Sequence, residues 1–326
     1  MFSSARLAVA CMAAVTVMAS MPALSLAQSF PTKPVVIIAP CQAGGSVDAI
    51  ARPLAAKLAK AWGQPVIVEN RPGTNGLIAT QAVIKAAPDG HALPYDLTGI
   101  IQNPLIYKNV AYEPLSVVPV LQIGGQAKGL GVPGKSAIGS VDQLAADGKA
   151  KGAAGHADGS VGAGMTGHIW SELLASDRGF KASHAACKGV GLRDIDLVSD
   201  RLDWAFLSSA EATVRPSGRS VPVLAVTGPE RVQQMSEVPT MRELGYPGFE
   251  MVGWHGRFAP PGTPSSTVLK FERDIRAAFA DPDLPAVLDM QVIHKTSYGP
   301  DEFASVMRND QARWASLIKR FNIQVN

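Results

Sequence analysis

Apolar and polar positions along this chain fall into short runs that predict alternating strands and helices. Val35 to Ala39 is a continuous apolar, mostly β-branched run, expected as a buried strand that Pro40 stops. After the small-residue turn Ala43-Gly44-Gly45-Ser46, Ile50, Leu54 and Leu58 recur at i, i+4, i+8 and predict a helix, with Ser46 or Asp48 as its cap. Val66 to Glu69 predicts a second buried strand. Thr74 or Asn75 is expected to start a helix through Leu77, Ile78, Ala82 and Lys85, and His91 to Leu93 to form a short third strand. This β-α-β-α-β order favours a parallel sheet covered by helices.

Further on, a short helix and turn are expected over 103–112 and a β-branched strand over 117–123. Glycines at 124–125 and again through 129–134 are expected to interrupt that strand and to mark a first crossing between domains. Ser140 caps a predicted helix from Val141 to about Ala150. The Gly-rich stretch 152–167 has almost no large side chain and is expected not to be regular throughout. Its end, Gly164-Met165-Thr166-Gly167-His168, runs into a helix over Ile169 to Leu174, a second Gly-rich approach to a helix N-terminus. Beyond it come a helix through Leu192, Ile195 and Val198, strands over 203–207 and 221–227, a short helix to Leu244 and a return crossing over 251–258. The proline-rich elbow 259–264 precedes helices at 266–280, 284–290 and 301–321.

Length and composition narrow the picture. The 326 residues suggest about two domains, and a net charge of +3 without a Lys/Arg run argues against a nucleic-acid partner. In residues 1–27 Arg6 is the only charge, Leu7 to Val17 is largely apolar, and Ser25-Leu26-Ala27 has the small residues of a cleavage site. This stretch is expected to be a cleaved signal peptide, too short in its apolar part to span a membrane, with export to the periplasm as the consequence. Its removal leaves Cys41 and Cys187, spaced unlike a zinc site, and the six histidines form no i, i+4 pair, so no metal and no cofactor is expected.

Glycines let the backbone approach a ligand and first-turn N–H groups lack intrahelical partners, so the two Gly-rich junctions suit a bound anion. Ala43-Gly44-Gly45 lacks dinucleotide-binding spacing, and neither a phosphate loop nor a G-x-S-x-G nucleophile elbow is expected.

Eight segments in order resemble the periplasmic solute receptors of tripartite tricarboxylate transporters, the Bug-type binding proteins. They are P-x-x-A-G-G-x-x-D-x-x-A-R (Pro40 to Arg52), G-Q-P-V-I-V-E-N-R-P-G (Gly63 to Gly73), K-A-A-P-D-G (Lys85 to Gly90), G-S-x-G-x-G-x-x-x-H (Gly159 to His168), Lys188-Gly189, L-A-V-T (Leu224 to Thr227), V-P-T (Val238 to Thr240) and W-x-G-x-x-A-P-x-G-T-P (Trp254 to Pro264). The resemblance implies an α/β, two-lobed periplasmic-binding-protein-like fold (type II) with two crossing strands. Lobe 1 would take residues 28–127 and 252–326, and lobe 2 residues 128–251. It implies a small organic acid bound in the cleft as a carboxylate, delivery to the permease subunits of a tripartite transporter, no catalytic residue, and a monomer. Carried over by position, the cleft loops are Ala43, Gly44, Gly45, Ser46 and Asp48 on one lobe, and Thr166, Gly167, His168 and Ser208 on the other.

Asp48 is read as a capping carboxylate that stiffens its loop. His168 is either a surface histidine or a donor to the ligand. The sequence departs from the family at Cys41, Gln42 and Cys187, where aromatic residues and a proline are usual, at an apparent insertion His156-Ala157-Asp158, and at Leu93-Pro94-Tyr95-Asp96 in place of an apolar strand. A Cys41–Cys187 bridge across the cleft is a hypothesis that thiol counting tests. The rival function is a secreted α/β enzyme acting on a small organic acid.

Overall fold

A computed structural model of the chain describes residues 30–152, 155–187, 189–213 and 221–323. The expected signal peptide lies outside the described residues, as does Lys188.

The first strand, Val35–Ala39 (β1), runs parallel to Val66–Asn70 (β2), and helix Ser46–Trp62 (α1) connects them. The α1 stripe Ile50, Leu54 and Leu58 is fully buried, so the i, i+4 spacing finds its core. Pro53 sits inside α1, which continues through it. Gly45, not Ser46 or Asp48, is the N-cap, and no side chain caps it. β2 departs from expectation, because it is the edge of a two-stranded sheet and leaves Ile67 51% exposed.

The expected strand at His91 to Leu93 reduces to a single bridge, Ala92 to Val36, and the strand forms beyond Pro94 as Tyr95–Leu97 (β3). Proline has no N–H for a ladder, which moves the strand along the chain. β3 joins a different, four-stranded antiparallel sheet with Val118–Gln126 (β4), Gly253–Ala259 (β10) and His294–Tyr298 (β11), in the order β11-β4-β10-β3. The glycines at 124–125 do not interrupt β4. A Cβ on Gly124 would lie 2.3 Å from Ile293 Cγ2, so glycine is what lets β11 pair there.

A third sheet has five strands, in the order β7-β6-β8-β5-β9: Lys128–Gly131 (β5), His156–Ser160 (β6), Ala182–Ala186 (β7), Trp204–Ser208 (β8) and Val223–Val226 (β9). β6 runs parallel to β7 and β8, whereas β5 is antiparallel to β8 and β9. His156-Ala157-Asp158 is therefore ladder sequence within the sheet. Gly129 and Gly131 are likewise ladder residues of β5. Gly129 to Ser136 does carry the spacing G-x-x-x-x-G-K-S, but its first half is strand. Lys135 and Ser136 lie in a turn before helix Val141–Lys151, so no phosphate loop forms. Ser140 caps that helix as expected, accepting from Gln143 N.

The chain passes between the four- and five-stranded sheets twice: at Gln126 to Lys128, where β4 ends and β5 begins, and over 227–252 between β9 and β10. Helices Gly99–Ile106 and Thr166–Arg178, after β3 and β6, both pack against the C-terminal helix Pro300–Arg320. That helix lays down Phe303, Met307, Trp314 and Ile318 as a buried stripe. Trp314 packs against Trp170 with the rings tilted and their centroids 4.9 Å apart, and Phe303 meets Trp254 edge-on at 5.1 Å. One helix thus fixes two helices whose N-termini frame the site.

Candidate functional site

A pocket of about 100 Å³ opens where the two sheets are joined. Its floor is the crossing backbone: Gln126 and Lys128 on one strand pair, Gly253, Trp254 and His255 on the other. One wall is Asn75 with Leu97, Thr98 and Gly99 at the start of the helix after β3; the facing wall is Ser160, Val161, Met165, Thr166 and Gly167 at the start of the helix after β6. Arg193 and Phe206 complete it.

The Asn75 wall is built by close contact. Thr74, Asn75 and Gly76 all have left-handed backbone, φ 48, 51 and 83°, which is costly for a β-branched threonine. Asn75 and Asn103 hold one another: Asn75 Nδ2 donates to Asn103 Oδ1 at 3.0 Å, and Asn103 Nδ2 to Asn75 O at 3.1 Å. A Cβ on Gly99 would lie 2.5 Å from Asn75 O, so only glycine allows this approach. Below the turn, Thr80 Oγ1 lies 2.6 Å from Asp96 Oδ2 and 3.2 Å from Gly76 O. Burial pushes the Asp96 carboxyl up to about 7, with Thr80 and Leu97 N opposing.

The floor carries donors. Burial pushes His255 down to about 3, so its ring is neutral, and Tyr95 Oη lies 2.9 Å from His255 Nδ1. Among the described residues the Tyr95 hydroxyl has no other acceptor, so it donates to Nδ1 and leaves the His255 proton on Nε2. Burial also lowers the Lys128 ammonium, Glu211 raising it in part and Arg193 lowering it again. Glu211, although burial pushes it up, is held below the usual carboxylate range by Arg193 and Lys128.

The residues expected from the sequence divide between pocket and surroundings. Thr166 and Gly167 line the pocket. Ala43 and Gly44 are exposed, Gly45 and Ser46 half-buried, and none of these four is among the pocket-lining residues. Asp48 is buried beneath that turn, where its carboxylate accepts from Gly44 N (2.9 Å), Arg52 Nε (2.8 Å) and Asn70 Nδ2 (2.9 Å). Burial raises Asp48, but these three bonds outweigh it and hold the group at about 2. His168 turns away from the pocket lining: its Nδ1 accepts from Gly164 N at 3.0 Å and its ring stacks on His184 at 3.6 Å. Ser208 serves Glu211, donating its N–H to Glu211 Oε2 at 2.6 Å. Cys41 and Cys187 are both free thiols, so the hypothetical bridge is absent.

Lys128, Arg193, His255, Gln102 and the Asn75–Gly99 contact were not anticipated. A signal existed for Lys128, a lone charge between Ala127 and Gly129. Nothing in the pattern marks Asn75 or Gly99.

The family model described as "Tripartite tricarboxylate transporter family receptor" matches residues 50–323. Protein BugT of Bordetella pertussis is 29% identical over 300 residues, covering 90% of each chain. Among solved structures, one titled "R. palustris Rpa4515 with adipate" aligns with TM-score 0.82 at 27% identity, over 91% of this chain and 100% of that one. MatC of Rhodopseudomonas palustris with bound malate aligns with TM-score 0.79 at 26% identity, over 89% of this chain and 100% of that one.

Proposed function

We propose, from the premise that this chain belongs to the tripartite tricarboxylate transporter receptor family, that it captures a small organic acid as its carboxylate in the pocket between the two sheets. The observation that carries this reading is the convergence of two helix N-termini, at Thr98-Gly99 and at Thr166-Gly167, on one small pocket. Unpaired first-turn amides and the helix dipole favour an anion there, each helix contributing about 0.3–1 kcal/mol, up to about 2 when partly buried. Relatives with adipate and with malate bound carry the same kind of ligand on the same fold.

The two sheets form the cores of two lobes, residues 28–127 with 252–326 and residues 128–251. The crossings at 126–128 and 227–252 are the hinge about which a ligand closes them. The leader is cleaved after Ala27, the mature monomer works in the periplasm, and it hands the acid to the transporter's permease subunits. In this reading the 43–46 turn borders the mouth of the open cleft and the Asp48 network keeps it stiff.

One observation bears on the rival enzyme reading: Ser160 Oγ lies 2.7 Å from His184 Nε2, the spacing of a nucleophile and its base. His184 has no carboxylate to orient it among the described residues, burial pushes it down to about 3, and Ser160 Oγ also bonds Gly162 O at 2.7 Å. The pair therefore supports the Gly-rich loop and not bond cleavage. Mass spectrometry of small molecules released from freshly purified protein tests the proposal. An organic acid, stoichiometric with protein, is expected; a neutral metabolite or a peptide in its place would refute it.

A further inference from the structure

Helix Val190–Val198 is turned the wrong way round for packing alone. Val190, Leu192 and Ile195 are 43, 52 and 60% exposed, whereas Arg193 is 3% exposed. Exposing three apolar side chains while burying a guanidinium opposes both hydrophobic and solvation terms, which points to a use for the buried cation. Arg193 Nε and Nη2 bond Asp194 Oδ1 at 3.1 and 2.6 Å, and Nη2 also pairs with Glu211 Oε2 at 3.1 Å. Its Nη1 makes no hydrogen bond among the described residues, and the side chain lines the pocket. Lys128 lines the same pocket, and its ammonium has charged neighbours, Glu211 and Arg193, but no hydrogen-bonded partner among the described residues. Two cations thus share the half-buried carboxylate of Glu211, 22% exposed at its side chain against 44% for Asp194.

We infer that Lys128 and Arg193 form a seat for a second acidic group of the ligand, with Lys128 the residue that selects two-acid over one-acid ligands. This rests on the acid-capture reading above and goes further. The helix N-termini hold one carboxylate, and the free donors of Lys128 Nζ and Arg193 Nη1 take the other. Arg193 is fixed by its two carboxylate partners, so it positions the group; Lys128, without a hydrogen-bonded partner, supplies the discrimination. A one-acid ligand would cover that half-buried ammonium without giving it a partner, which is the larger part of the selectivity.

The test is titration calorimetry of the mature protein with malate and 3-hydroxybutyrate, which differ by a carboxylate replaced with a methyl, and with adipate and hexanoate as a longer pair. The wild type is expected to favour each diacid by at least about tenfold. Lys128→Met is expected to abolish that ratio, and Lys128→Arg to retain most of it. If the wild type binds these acids without preference, or the preference survives in Lys128→Met, the seat is refuted and acid capture stands. If the wild type binds none of the four, acid capture fails and the seat with it. The wild-type ratio needs no variant, so it decides even if Lys128→Met does not fold.

Discussion

Gln102 and Thr166 clasp each other at the pocket wall: Gln102 Nε2 lies 3.2 Å from Thr166 Oγ1, and Thr166 Oγ1 lies 3.4 Å from Gln102 Oε1. Gln102 is fully buried on the helix after β3, and Thr166 opens the helix after β6, so the pair ties together the two helices whose N-termini line the pocket. Thr166→Val keeps the shape and removes the hydroxyl. It is expected to weaken acid binding by about fivefold, the usual net worth of one hydrogen bond, as read by calorimetry. Unchanged affinity would mean that the clasp does not report on the bound state.

Gly99→Ala places a methyl 2.5 Å from the Asn75 carbonyl, where the tight left-handed turn has no freedom to yield. The expected cost is about 1–3 kcal/mol of stability, typical of overpacking, and acid affinity falls with it because the wall moves. Chemical denaturation and calorimetry on the same variant check both. A variant with wild-type midpoint and affinity would show that the contact is slack.

Asp96 sets a pH dependence with a definite sign. Its carboxyl keeps its proton up to about pH 7 in the folded chain, whereas the unfolded chain loses it near 3.8. Between those values the folded state binds more protons, so stability falls as pH rises from about 4 to about 7 and is level above. Asp96→Asn preserves the Thr80 and Leu97 contacts in neutral form and is expected to flatten that slope and to raise the melting temperature at pH 8. A slope that persists in Asp96→Asn would assign it elsewhere.

Asp48 works in the opposite sense. Its folded-state value of about 2 lies below the ordinary 3.8, so its contribution is complete above about pH 4 and is lost as pH falls through about 2. Asp48→Ala removes acceptors from Gly44 N, Arg52 and Asn70 together. It is expected to lower stability by about 1–3 kcal/mol at pH 7, with little loss near pH 2, as read by thermal melts at both pH values.

Thiol titration of the mature, unreduced protein is expected to count two free thiols, Cys41 and Cys187. Both react slowly at neutral pH, because burial pushes each thiol up, and faster as pH rises. A count of zero would show that the two are bridged in solution.

Much of this architecture was legible in the chain. Periodicity located β1, α1 and the C-terminal helices, because Ile50, Leu54 and Leu58, or Phe303 and Met307, have one face to bury. Where local preference met close packing it misled. Glycines at 124, 125, 129 and 131 look like breaks but sit in ladders, since neighbouring strands and side chains come too near for a Cβ. His156-Ala157-Asp158 looks inserted and is the ladder itself. The helix through Leu192 and Ile195 forms as expected, but those two side chains are exposed and Arg193 and Leu197 are buried instead. At the site the second Gly-rich junction delivered Thr166 and Gly167, but Asn75, Thr98, Gly99, Lys128 and His255 meet only through tertiary contacts between distant segments.

The most direct measurement is a thermal-shift titration of the mature protein with malate and adipate, with the acid followed by proton NMR in the same samples. A ligand that binds only the folded chain raises the melting temperature progressively with concentration. Capture without chemistry predicts that rise, saturable and smaller in Gly99→Ala, with the acid recovered unaltered. A melting temperature indifferent to both acids, or an acid consumed as the protein is stabilised, would contradict it.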